Sequence, residues 1–188
     1  MEGGFLLQDL LDLIGTVQRA LYQGENMLAY QYLRERRMAI RLSPITRSQQ
    51  FRVILVHCRA RALLAVAAER TGKERGKLLS EALAAARELS GEKMEWGQAQ
   101  ASVVLATVAF LKGDTPGARS LLARATREFE AVGLALYAAA TRRRSGELSG
   151  GDEGRTLVSQ ADQWMTAQGI VNPVRMTAML VPGFPSRA

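Results

Sequence analysis

Few residues in this 188-residue chain are spaced for chemistry. The stretch Leu148 to Thr156, LSGGDEGRT, sets Asp152 and Glu153 after a glycine pair. It closes like a phosphate loop, with Gly154, Arg155 and Thr156 in a row. A second stretch, Thr71-Gly72-Lys73-Glu74-Arg75-Gly76-Lys77-Leu78, approaches a phosphate loop more closely. Three residues separate its glycines where that loop needs four, and Leu78 stands where a hydroxyl must meet Mg²⁺. It reads as a mobile basic turn. His57 and Cys58 are the only histidine and cysteine. As helix neighbours they point about 100° apart, so they share no metal and form no nucleophile–base dyad. Cys58 reads as a small core residue. No catalytic residue, metal site or cofactor is expected.

The elements that must position these residues read as helices. Ala and Leu dominate, aromatics make up 6%, and strand-like alternation is rare. Glycines punctuate the second half at Gly91, Gly113, Gly133, Gly151 and Gly169, as helix stops. Ser43-Pro44, Thr115-Pro116 and Asn172-Pro173 each place a capping side chain before a proline. The pattern predicts helices near 6–23, 26–42, 45–70, 74–90, 93–112, 116–132, 134–149, 153–168 and 173–180. Ala118, Leu121, Leu122, Ala125, Phe129 and Val132 form one apolar stripe. Leu122, Ala125 and Phe129 recur as Val158, Ala161 and Met165, Leu64-Ala65 as Leu105-Ala106, and Gly113-Asp114 as Gly151-Asp152. Those intervals suit helix pairs of about 36–41 residues, the scale of helical solenoids. The fold class is therefore all-α, a short superhelical stack of helix hairpins. Residues 1–188 form one domain, with 1–42 as a capping helix pair, 45–180 as repeat hairpins and 181–188 as a tail.

This placement settles the first stretch. GGDE resembles the GGDEF signature of cyclic-dinucleotide cyclases, but that motif sits on a hairpin between strands and has Phe in fifth place. Here Gly154 occupies that place and both flanks are helical. Gly151 reads as a helix stop and Asp152 as the next helix's cap. Asp152 and Glu153 then offset a helix dipole.

Charge points the same way. The net charge is +7, yet the arginines are scattered at helical spacing among glutamates, as on a solvated face. Arg142-Arg143-Arg144, the sharpest run, fans over about 200° and lacks interleaved aromatics. It reads as nonspecific charge, and nucleic acid is disfavoured as a partner. Trp96 and Trp164 read as core or inter-hairpin anchors. The N-terminal stretch lacks a basic leader, and the longest apolar run, Ala62 to Ala68, is too short to cross a membrane. A cytoplasmic protein is expected.

Residues 99–132 resemble a degenerate tetratricopeptide repeat. Leu105-Ala106 match its large–small pair, Gly113-Asp114 its turn, Ala118 and Ala125 its small packing positions, and Leu122 its large one. Ala109 and Glu130 depart from its aromatic and proline positions. Over roughly 45–184, and most specifically in QGIVNPVRMTAMLVPGF, the chain is similar to the C-terminal helical-repeat segments of large bacterial serine/threonine protein kinases and related signalling ATPases. No kinase motif is present, so the family's catalysis does not carry over. The resemblance implies a non-catalytic scaffold or sensor that binds a protein or peptide segment, with a kinase or other signalling component as the partner. In a tetratricopeptide register the first helix lines the groove, so Gln100, Val103 and Thr107 would face the ligand. Shifting back 41 residues adds Arg59. Two other readings stand beside this one: a structural kinase remnant without a ligand, and a basic surface for nucleic acid or anions. A filled groove favours the former, and a continuous basic stripe the latter.

Overall fold

The computed structural model describes residues 5–185, and among these the chain is all helix. The α-helices are α1 (Leu7–Gln23), α2 (Asn26–Glu35), α3 (Arg37–Leu42), α4 (Gln49–Ala68), α5 (Gly72–Gly91), α6 (Glu95–Leu111), α7 (Thr115–Ala131), α8 (Ala135–Ser149), α9 (Gly151–Ala167) and α10 (Pro173–Leu180). From α4 to α9 each helix packs against the next.

Three local features differ from the pattern. The helix expected over 26–42 breaks at Arg36, which separates α2 from α3. The helix expected from 45 begins with a 3₁₀ turn, Pro44–Arg47, before α4. Gly91 is still helical, and the left-handed turn after α5 falls on Lys93 instead (φ 53°). Gly113, Gly133, Gly151 and Gly169 do adopt positive φ. Capping is mixed. Ser43 Oγ accepts from Ile45 N, and Asn172 Oδ1 accepts from Arg175 N. At α7 the cap is Asp114, whose carboxylate accepts from Gly117 N at 2.9 Å, because Thr115 already belongs to the helix.

Packing explains the glycines of the α8–α9 link, where Gly150 alone joins the helices. A Cβ on Gly146 would lie 2.7 Å from the Gly154 carbonyl oxygen and 2.9 Å from Leu157 Cβ. A Cβ on Gly154 would collide with the Gly146 carbonyl. These glycines are where the two backbones cross.

The core lies on both sides of α4 and α6. Cys58, Ala62 and Ala65 of α4 join Ala99, Val103 and Ala106 of α6 in one apolar cluster. Leu63, Leu64 and Ala67 join Ala101, Val104 and Val108 in a second. Phe129 is fully buried, with its ring 5.0 Å from that of Tyr137, as the apolar stripe on α7 requires. Trp96 and Trp164 pack against the two clusters. Beyond α10, residues Val181, Pro182 and Phe184 are buried, so the expected tail is part of the core at least as far as Phe184.

These contacts set the expected stability changes. Gly146→Ala and Gly154→Ala should each cost about 1–3 kcal/mol through overpacking. Gly76→Ala, in a helix with no atom near the added methyl, should stabilise by up to about 1 kcal/mol. Phe129→Ala should cost about 3–5 kcal/mol. Urea unfolding measures all four, and a neutral Gly154→Ala would refute the close crossing.

Candidate functional site

The face expected to form a groove is occupied. The end of α10 and the segment that follows it run over α4, α6 and α8, and their backbone carbonyls are held by side chains from all three. Arg61 Nη1 donates to Met179 O at 3.3 Å, Thr107 Oγ1 to Pro182 O at 3.3 Å, and Arg144 Nε to Val181 O at 3.1 Å. Phe184 packs 4.8 Å from Phe110, ring to ring. Gly183 (φ 92°) sits so close to the Thr107 methyl that no side chain fits. Gln100, Val103 and Thr107 are all buried. The expectation that they face a ligand is therefore corrected. The stretch AQASVVLATVAFL carries no charged residue on any side, the mark of a helix largely covered by its neighbours.

The arginine run is also corrected. Arg143 and Arg144 are 3% and 1% exposed, so they are internal and not diffuse surface charge. Both pair with Glu147, and Arg143 also reaches Asp162 at 2.7 Å. Arg142 pairs with Glu130. The GGDE stretch is a tight link, as expected, but Asp152 is not a cap. It lies inside the first turn of α9, is exposed, and pairs with Arg155. The phosphate-loop look-alike forms the start of α5 and is not a mobile turn. No group of three or more His, Cys, Asp or Glu stands together among the described residues. No described helix is long and apolar enough to cross a membrane.

Arg59 lies elsewhere, in an open cleft of about 1130 Å³ between α2–α3 on one side and α4–α5 on the other. Each wall is a helical stripe. Tyr30, Leu33, Arg34, Arg37, Ile40 and Arg41 line it from α2 and α3. Arg52, Leu55, Val56, Arg59 and Leu63 line it from α4, at spacings of three and four. Lys77, Glu81, Ala84 and Glu88 do so from α5, with Gly91 and Glu92 at its end. Leu33, Leu55 and Leu63 are buried beneath it, which makes an apolar floor. The α2 wall is tied to α4 by Asn26 Nδ2, which donates to Glu69 at 2.6 Å, and to α1 by Tyr32 OH, which donates to Asp12.

The cations of the cleft differ in their bonding. Arg52 forks onto Glu92 at 2.6 and 2.7 Å and also donates to the Thr46 and Arg47 carbonyls. It locks the 3₁₀ turn to the end of α5. The hydrogen bond from Arg52 holds the Glu92 carboxyl below its ordinary range. Arg59 pairs with Glu88 at 2.8 Å. Arg34, Arg37, Arg41 and Lys77 are exposed and form no ion pair among the described residues. Of the residues expected to bind a partner, the structure puts only Arg59 in this cleft. The α2–α3 arginines were missed, although their spacing of three and four residues was visible in the sequence.

Compared with models of known protein families, with curated proteins and with solved structures, the chain matches none.

One buried titratable group makes a separate prediction. His57 lies beside Arg61 and 5.7 Å, ring to ring, from Tyr137. Burial, and then the Arg61 charge, hold its imidazole well below its ordinary value of 6.5. The unfolded chain therefore takes up this proton at a higher pH than the folded one. The stability due to neutral His57 is complete above about pH 6.5 and is lost as pH falls below it. The slope should approach about 1.4 kcal/mol per pH unit. As the only histidine, His57 should account for the slope between about pH 5 and 6.5. His57→Leu should flatten it, as followed by urea unfolding across that range. An unchanged slope would refute the assignment.

Proposed function

We propose that this chain is a non-catalytic binding module of a bacterial signalling pathway, and that it holds a protein segment in the cleft between α2–α3 and α4–α5. The observation that carries the reading is the cleft itself, whose apolar floor is open while the cations along one wall lack partners. Clefts with such a floor and a few convergent polar groups are where ligands seat. The resemblance of residues 99–132 to a tetratricopeptide repeat supports the reading, because stacked hairpins of that kind present rigid walls to extended or helical partners. So does the resemblance of the last residues to kinase-attached repeats, which makes a kinase or other signalling component the partner to look for.

A second reading has its own observation. The face across α4, α6 and α8 is filled by residues 179–184, as a purely structural remnant would have it. That occupancy moves the proposed site from Gln100, Val103 and Thr107 to the cleft around Arg59.

A photo-crosslinking amino acid at Ala84, which is exposed at the cleft, tests the reading. In cells that carry the gene it should capture one dominant protein, identified by mass spectrometry as a signalling component. The same probe at Ala123, exposed on α7, should not. Equal labelling from both positions would indicate mere surface adhesion, and no labelling would favour the structural remnant.

A further inference from the structure

We infer that the partner presents an amphipathic helix with an acidic edge, seated so that this edge runs along the α2–α3 wall. The inference rests on the reading of the cleft as the binding site and adds the chemistry of its occupant.

The backbone form follows from hydrogen bonding. An extended segment brings unpaired N–H and C=O groups that must find partners once buried. Across α4, α6 and α8 the protein supplies them, and Arg61, Thr107 and Arg144 hold the carbonyls of residues 179–182. The cleft floor has no such donors. Leu33, Leu55 and Leu63 are apolar, and the surrounding helix backbone is already bonded to itself. A helix needs nothing of a floor but apolar contact, because its own backbone is satisfied. The lining along α5 runs from Lys77 to Gly91, roughly 21 Å, or about four helical turns.

The acidic edge follows from how the charges divide. Arg34, Arg37 and Arg41 stand on one wall with no ion pair among the described residues, and no carboxylate of α2 or α3 lines the cleft beside them. The charges of the opposite wall balance: Arg52 pairs with Glu92, Arg59 pairs with Glu88, and Lys77 and Glu81 offset each other. Carboxylates spaced three and four residues apart on a partner helix would meet the arginines, where charge-assisted hydrogen bonds are favourable. The partner's other edge lies against a wall whose charges already balance, so nothing there calls for further carboxylates. A nucleic-acid backbone, negative throughout, would find excess cations on the α2–α3 wall alone, and the cleft offers Tyr30 alone for stacking.

The test is a displayed library of helix-forming peptides of about sixteen residues, selected on the intact chain at about 150 mM salt. The Arg37→Glu/Arg41→Glu variant is kept out of the selection and is used afterwards as the comparison. Both side chains are exposed and unbonded, so the variant should keep its helical spectrum and Tm. Selected peptides should carry apolar residues at helical spacing with two or more carboxylates along one edge. By fluorescence anisotropy they should lose about tenfold or more in affinity on Arg37→Glu/Arg41→Glu. They should also lose binding on Ala84→Trp, which blocks the cleft. Peptides blocked by Ala84→Trp but indifferent to the charge reversal would overturn the acidic edge and leave the cleft reading standing. Peptides indifferent to both changes, or no enrichment at all, would overturn both. Tighter cleft binding by a single-stranded oligonucleotide than by any selected peptide would also overturn the inference.

Discussion

A guanidinium taken out of water must find its hydrogen bonds inside the protein, and two such groups hold this fold together. Arg144 is almost wholly buried. It meets Glu147 within α8, the Val181 carbonyl of the C-terminal segment, and the Phe184 ring. Arg61 is equally buried without a carboxylate partner; its Nη1 and Nη2 donate to the Met179 carbonyl and Cys58 Sγ, while its Nε has no partner among the described residues. Desolvating a charge costs several kcal/mol, so each arginine depends on the segment that covers it. The dependence runs both ways. Residues 181–184 form no regular helix, and their buried carbonyls need donors from elsewhere. Residues 179–184 thus join helices that are far apart in sequence. His57 stays neutral for a connected reason, because it is buried beside the same Arg61 charge.

Two surfaces of the protein differ in chemistry. Across α4, α6 and α8 it has side-chain donors aimed at a backbone, a half-buried Gly183 where no side chain fits, and an aromatic anchor in Phe184. Those are the requirements of an extended segment, and the chain supplies that segment itself. Between α2–α3 and α4–α5 it has an apolar floor, with its polar groups confined to the walls.

How much of this was legible follows from what each signal measures. Periodicity and glycine stops report local backbone preference, so they placed most of the helices and the α8–α9 link. The apolar stripe that includes Leu122, Ala125 and Phe129 reports one buried face, and it located a core. Caps were less legible, because Asp114 and Thr115 are adjacent and either could cap the start of α7. Asp152 looked equivalent to Asp114, but Gly150 takes the turn and leaves Asp152 inside α9. The groove residues failed for a tertiary reason. Gln100, Val103 and Thr107 share a helix that is largely covered by its neighbours, and nothing local says that residues 179–184 will return to cover it. The absence of any charged residue from Trp96 to Leu111 was the available signal.

Charge is the clearest case of spacing outweighing density. Arg142, Arg143 and Arg144 are consecutive, so they fan around α8, and two of the three turn inward to Glu147. Arg34, Arg37 and Arg41 are spread over a longer stretch and drew no attention as a run. Their steps of three and four residues keep them within about 60° of one another on a helix. The break at Arg36 bends the helix between them but does not turn them apart, since all three line the same cleft. Arg36 itself is drawn away, with its guanidinium 3.4 Å over the Tyr32 ring. A run of arginines is thus consumed by the fold, while a stripe of them stays at the surface. The net charge of +7 says only that cations are in excess, and the helix period decides where that excess can meet a partner.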